Sequence, residues 1–283
     1  MAPDDTHTDI VLARAALAPE TFCGAFTQQE PIPQEAIDKA VAVLQSGRLH
    51  RYNTHGDAPS EVAAFEAAYA AWQGARYCLA LASGGQALQI AMRSAGVQEG
   101  DQVLTNAFTL APVPGAIAAV GGHPVYVETD ESLRLDLADL SAKIASSGGK
   151  WLLLSHMRGH LCDMDRLTEI TSAAGVTVIE DCAHTMGARW NGTRSGNHGV
   201  AGCFSTQTYK HINSGEGGVL TTDDAGLMAR AIILSGSYML YERHGAAPDA
   251  QHFEGIRLTT PNMSARMDNL RAAVLLPQLA ALD

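Results

Sequence analysis

The chain has 283 residues, 46% of them hydrophobic, with a formal net charge of −11 and a pI of about 5.4. That is enough apolar chain for one large core, alone or with a smaller companion. The acidic balance argues against nucleic acid or an anionic membrane as the main partner, and no apolar run approaches the roughly 20 residues needed to cross a bilayer.

Residues 1–30 read as a loosely specified arm, with acids early and no long apolar region, so not a secretory signal. Cys23, Cys78, Cys162, Cys182 and Cys203 are scattered and form no CxxC pair, the usage of reduced, buried thiols in a cytoplasmic protein. The stretch IPQEAIDKAVAVLQSG places Ile37, Ala40, Val41 and Leu44 on one helical face and stops at Gly47. A polar loop follows, in which Arg48, His50 and Arg51 are expected to be solvated rather than to bind an anion. SEVAAFEAAYAAWQG is a second helix, N-capped by Ser60 and ended by Gly74.

From residue 76 short apolar strands alternate with helices: RYCLALA, DQVLT, HPVYVE, KWLLLSH and VTVIED are strands, and helices are expected between them. GVAGCFST and GGVLTT add two more strands, and RMDNLRAAVLLPQLAALD reads as a closing helix. The stretch 235–245, with aromatics and Met near helical spacing, is expected to be a packing surface. This alternation predicts an α/β fold: three layers, α/β/α, around a mostly parallel mixed sheet. Ligands in such sheets bind beyond the carboxyl ends of the strands.

Three features fall at those ends. In ASGGQAL a strand meets paired glycines, Gly84 and Gly85, at a helix start, where free N–H groups suit a phosphate. In VIEDCAH an apolar strand delivers Glu180 and Asp181, with His184 three residues beyond; helix capping competes with a catalytic role for such a carboxylate. In FSTQTYKHINSGEGG, Ser205 ends a strand and Lys210 follows among small hydroxyl residues, where partial desolvation makes an amine a nucleophile toward carbonyls. Phosphate cradle, buried carboxylate and lysine, in that order, are what pyridoxal phosphate requires. His156 and His160 have a metal-pair spacing, but Gly159 intervenes and no metal is expected; Arg158 and His160 are weaker candidates for lining a substrate pocket. Cys182 reads as packing rather than as a nucleophile.

The sequence resembles the DegT/DnrJ/EryC1/StrS family of pyridoxal-phosphate sugar aminotransferases over roughly residues 30–280. The resemblance is carried by SGG-AL, GDQVLTNAFT, GGHPVYVE, SHMRGHLCDMD, EDCAHTMGA, FSTQTYKHINSGEGG and PNMSARMDNLRAA. It implies the large domain of PLP fold type I over 31–245, with 246–283 as the start of a C-terminal segment and the small C-terminal domain largely missing. It implies that Lys210 is the Schiff-base lysine, that Asp181 faces the pyridine nitrogen and that His184 sits near the phenolic oxygen. Gly84, Gly85 and Ser205 are implied to hold the phosphate. Asn262 is implied to reach a neighbouring subunit's phosphate, hence a homodimer with shared active sites. The expected reaction moves an amino group from glutamate or glutamine to a keto sugar, cyclitol or similar carbonyl compound.

Two departures stand out. Gly85 replaces the family's threonine, and Leu110 stands where an aromatic ring stacks on the cofactor, with Phe108 two residues away. A lyase or aldol-type enzyme, or a non-catalytic cofactor-binding regulator, remains an alternative.

Overall fold

A computed structural model describes Gly24, Ala25, residues 28–56 and residues 58–282. The arm expected over 1–30 lies almost wholly outside the described residues, as does Cys23. Residues 32–283 form one unit.

Two helices precede the sheet, α1 (Gln34–Ser46) and α2 (Glu61–Gln73). Ser60 accepts from the Ala63 N–H, and Gly74 ends α2 in the left-handed region, as the residue types require. The alternation then runs β1 (Tyr77–Leu81), α3 (Gly84–Ala95), β2 (Gln102–Asn106), α4 (Pro112–Ala119), β3 (His123–Val127), α5 (Leu137–Ser147), β4 (Trp151–Ser155), α6 (Met164–Ala174) and β5 (Thr177–Asp181). A two-strand ribbon, β6 (Arg189–Trp190) and β7 (Thr193–Arg194), leads to β8 (Ala201–Ser205), β9 (Gly218–Thr222), α7 (Ala225–Ser235) and α8 (Asn269–Leu275). Asp136, Asp163, Asp224 and Asp268 each cap the helix they precede by accepting its first free N–H groups.

The main sheet has the order β1-β9-β8-β5-β4-β2-β3. Pairing is parallel from β8 through to β3, and β9 alone runs antiparallel to both its neighbours. β3, which contains Pro124, lies at an edge, where a missing N–H is tolerated. Strand alternation sorts the core into two layers. Leu79 and Leu81 face α3 and α7 with Ile90 and Ile232, while Cys78 and Ala80 face α2 with Phe65 and Tyr69. The carboxyl ends of β1, β5 and β8 carry Ser83, Asp181 and Ser205 to one end of the sheet.

Three expectations change. The closing helix stops at Leu275 and continues as 3-10 turns over 276–281, because Pro277 cannot donate to the helix ladder. In the stretch 235–245, Tyr241 stacks on Phe253 at 3.9 Å between centroids, but Tyr238 and Met239 are exposed and take positive φ of 53° and 62°. Arg51 is not solvated; it is 1% exposed. Its Nη2 donates to both Glu66 oxygens, at 3.0 and 2.9 Å, and to Nδ1 of His244 at 2.9 Å. With Nδ1 accepting, Nε2 of His244 carries the hydrogen and donates to Tyr52 Oη at 2.8 Å. Glu66 also takes the N–H of Ala80, so the pair ties the 48–53 loop and α2 to β1. Burial opposes its charge, but the Arg51 guanidinium foremost outweighs that, and the Glu66 pKa is held near 2.

Candidate active site

A cavity of about 380 Å³ opens at the carboxyl ends of the strands, and Gly84, Gly85, Asp181, His184, Ser205 and Lys210 all line it. Six of the seven residues singled out from the sequence therefore meet in one place. Asn262 does not join them: it is exposed, and its Oδ1 accepts from the Ser264 N–H at 2.9 Å.

The anion-sized end is built by α3. Ser83 Oγ accepts from the Gln86 N–H at 3.1 Å, which leaves the N–H groups of Gly84 and Gly85 without an intrahelical acceptor. A Cβ at Gly84 would lie 3.0 Å from Cβ of Ser205, so the glycine lets the helix start and the end of β8 close on each other. Gly85 has no such constraint; a Cβ there meets only Ser83 Oγ, at 3.9 Å. Ser205 Oγ accepts from the Gln207 N–H at 3.3 Å and keeps its own hydrogen for a ligand.

Asp181 ends β5, where its Oδ2 accepts from Ser155 Oγ at 3.0 Å and its Oδ1 from the Ala183 N–H at 3.2 Å. Burial pushes its carboxyl up from the ordinary range, opposed by those two donors and by the charges of His156 and Lys210. Lys210 is half-buried; desolvation lowers its ammonium pKa, Asp181 opposes that, and Arg158 adds to it. His184 Nδ1 accepts from the Arg158 N–H at 3.1 Å. Burial, then Lys210, Arg158 and His211, bring its pKa down to about 4.

The lysine sits in the β8–β9 loop, which is held firmly. The Thr206 and Ser214 N–H groups bond within the loop to Gly217 O and Thr206 O, both at 3.0 Å. Gln278 then grips Asn213 reciprocally, donating to its carbonyl at 2.8 Å and accepting its N–H at 2.9 Å. Gln207 and Glu216, which match the motif, line the cavity. The Gln207 Oε1 is committed to the Tyr209 N–H at 3.0 Å, so this side chain shapes the turn before Lys210.

Glu180, beside Asp181 in sequence, points elsewhere. Its oxygens accept from the N–H groups of Gly196, His198 and Gly199 and from His156 Nε2, all at 2.8–2.9 Å. These bonds outweigh the cost of burial and hold its carboxyl below the usual range. His156 is thereby spent on Glu180. The carboxylate, His156 and Cys182 bring donor atoms within 4.8 Å of one another, but the four hydrogens on Glu180 already account for that geometry. Leu110 lines the cavity and is 44% exposed, whereas Phe108 is not part of the lining.

The profile of the DegT/DnrJ/EryC1/StrS aminotransferase family matches residues 31–283. The chain belongs to this family. The UDP-2-acetamido-2-deoxy-3-oxo-D-glucuronate aminotransferase of Pseudomonas aeruginosa is 35% identical over 244 residues, which is 86% of this chain and 63% of that protein. The L-glutamine:scyllo-inosose aminotransferase of Streptomyces griseus is 33% identical over 250 residues, 88% of this chain and 58% of that one. Among solved structures, DesV of S. venezuelae superposes with a TM-score of 0.73 at 32% identity, covering 88% of this chain and 62% of DesV. The chain thus spans about three fifths of the length of these DegT/DnrJ/EryC1/StrS relatives. The seven-stranded sheet is the PLP fold type I sheet. Among the described residues no helix is long and apolar enough to cross a membrane.

The donors fit pyridoxal phosphate. Two free helix N–H groups and a serine hydroxyl suit a phosphate dianion, a carboxylate with both oxygens anchored suits a protonated ring nitrogen, and a desolvated amine suits an aldehyde.

Proposed function

We propose that this chain is the cofactor-binding part of a cytoplasmic pyridoxal-phosphate aminotransferase. It moves an amino group from glutamate or glutamine to a keto group on a sugar, cyclitol or similar small carbonyl compound. The observation that carries this is the meeting of Lys210, Asp181 and the N-terminus of α3 in one cavity. In this reading 31–245 is the cofactor-binding domain, and 246–283 opens a further segment.

Pyridoxal phosphate supplies an aldehyde carbon that amines join and a ring that takes up electrons. The N–H groups of Gly84 and Gly85 and the hydroxyl of Ser205 bind its phosphate. The Asp181 carboxylate keeps a proton on the ring nitrogen. His184, with Nδ1 occupied, offers the hydrogen on Nε2 toward the ring's oxygen. Lys210 serves twice, as covalent anchor and then as the base whose Nζ takes and returns the substrate proton; its lowered pKa favours the free amine this requires. Asn262, exposed and away from this cavity, fits the reading in which it reaches the phosphate of a second copy in a homodimer.

Borohydride reduction after incubation with pyridoxal phosphate tests the assignment directly. The chain has four lysines, Lys39, Lys143, Lys150 and Lys210, and peptide mapping is expected to find the label on Lys210. Label on any other lysine overturns the reading. Glutamate or glutamine is expected to convert the bound cofactor to its amine form; absence of that conversion with either donor removes the transaminase and leaves a lyase or a non-catalytic binder.

A further inference from the structure

Asp181 is not held by the main chain alone. Ser155 and Asp181 are register partners on the parallel strands β4 and β5, so their side chains emerge side by side from the same face. Ser155 is 3% exposed, and its Oγ donates to Asp181 Oδ2 at 3.0 Å. A second hydroxyl stands behind it: Thr109 Oγ1 lies 2.8 Å from Ser155 Oγ. An ionised carboxylate only accepts, so the single Ser155 hydrogen goes to Asp181, and Ser155 in turn must accept from Thr109. The direction of the whole chain, Thr109 to Ser155 to Asp181, is therefore fixed by the charge on Asp181. The Ser155 main chain is fixed independently, its N–H donating to Asn106 Oδ1 at 2.9 Å. Thr109 immediately precedes Leu110, which lines the cavity.

We infer that Ser155, backed by Thr109, is a positioning residue that keeps Asp181 ionised and oriented, and that the same hydroxyl chain pins the Leu110 segment to the site floor. The link to the cofactor ring rests on the reading proposed above. The other charged or titratable groups around Asp181 are Lys210 from the β8–β9 loop, His156 beyond β4, and the buried Glu180 on β5, Cys182 just past its end and Cys203 on β8. None of these replaces a hydroxyl donor on Oδ2.

The test is a 13C NMR titration of aspartate side-chain carboxyls in the cofactor-free protein, with Asp181 assigned by its loss in Asp181→Asn. Ser155→Ala removes the donor and is expected to raise the Asp181 midpoint by about one pH unit. Thr109→Val is expected to raise it less, and Ser155→Thr to leave it in place. An Asp181 midpoint unchanged in both Ser155→Ala and Thr109→Val overturns the inference; if Ser155→Ala does not fold, the Thr109→Val titration decides alone. A wild-type protein that never takes pyridoxal phosphate onto Lys210 sinks the cofactor reading instead, whatever the titration shows.

Discussion

The main-chain N–H of Arg158 donates to Nδ1 of His184 at 3.1 Å, and that one bond decides which imidazole nitrogen carries the hydrogen. The donor is held there by an unusual backbone, since Arg158 adopts a positive φ of 56°. With Nδ1 accepting, a neutral His184 presents Nε2–H to the cavity. Burial and the cations around it bring its pKa to about 4, so it stays neutral throughout the physiological range. Histidine NMR on the cofactor-free protein is expected to show no protonation of His184 between pH 8 and about 5; a midpoint near 6.5 contradicts this. The sign for stability follows: the unfolded chain binds this proton more readily, so the contribution is full above about pH 6.5 and falls as the pH drops toward 4.

Asp181→Asn keeps the size of the side chain but removes the charge proposed above to hold a proton on the ring nitrogen. The variant is expected to retain pyridoxal phosphate on Lys210, seen by its absorbance and by borohydride trapping, while the half-reaction with glutamate or glutamine slows by about a hundredfold or more. Near-normal turnover excludes the role given to Asp181.

Gly84→Ala is expected to weaken cofactor binding more than Gly85→Ala does. The first change sets a methyl 3.0 Å from Ser205 Cβ and pushes the helix start away from the end of β8, while the second meets nothing closer than 3.9 Å. Titration of both variants with pyridoxal phosphate measures the difference; equal affinities refute it.

Leu110→Tyr places an aromatic face on the exposed side of the cavity. Offset stacking contributes about 0.5–1.5 kcal/mol beyond area burial, so pyridoxal phosphate is expected to bind about two- to tenfold tighter. Unchanged or weaker binding shows that Leu110 does not lie over the ring.

The buried pair Arg51–Glu66 governs stability rather than chemistry. Arg51→Ala leaves Glu66 charged and unpaired, a loss of about 3–5 kcal/mol, measured by denaturant unfolding of the cofactor-free protein. Glu66 has an ordinary pKa of 4.5, lowered to about 2 in the fold. Its stabilisation is complete above about pH 4.5 and is lost as the pH falls toward 2. The wild type is expected to lose stability more steeply over that interval than Glu66→Gln; parallel profiles refute the coupling.

The sheet was legible in the sequence because each strand is a short apolar run between turn residues, and the crossover helices because Asp caps and terminal glycines punctuate them. The site was legible because Asp181, Ser205 and the paired glycines lie at strand ends, where topology brings distant segments together. α7 was not legible: eight of its eleven residues are buried, so its sequence shows no polar face and no 3.6-residue contrast. Arg51 was misread because its partners, Glu66 and His244, lie 15 and 193 residues away, and a loop arginine carries no mark of burial. Ser155 was unreadable for a similar reason, since its pairing with Asp181 exists only in the register of β4 on β5. Glu180 and Asp181 looked equivalent as neighbours; the strand's alternation sent one into the core and left the other in the cavity.

The grip of Gln278 on Asn213 has a mechanical consequence. The segment bearing Lys210 is stapled to itself between 206 and 217 and bolted to Gln278 in the 3-10 turns over 276–281, so the main chain there is a fixed post. In the function proposed above, travel of the amine from tether to base would come from rotation about its own four methylenes. A swinging arm on a rigid mount would return to the same spot in each cycle of the proposed reaction, and loosening the bolt, as in Gln278→Ala, would let the mount itself drift.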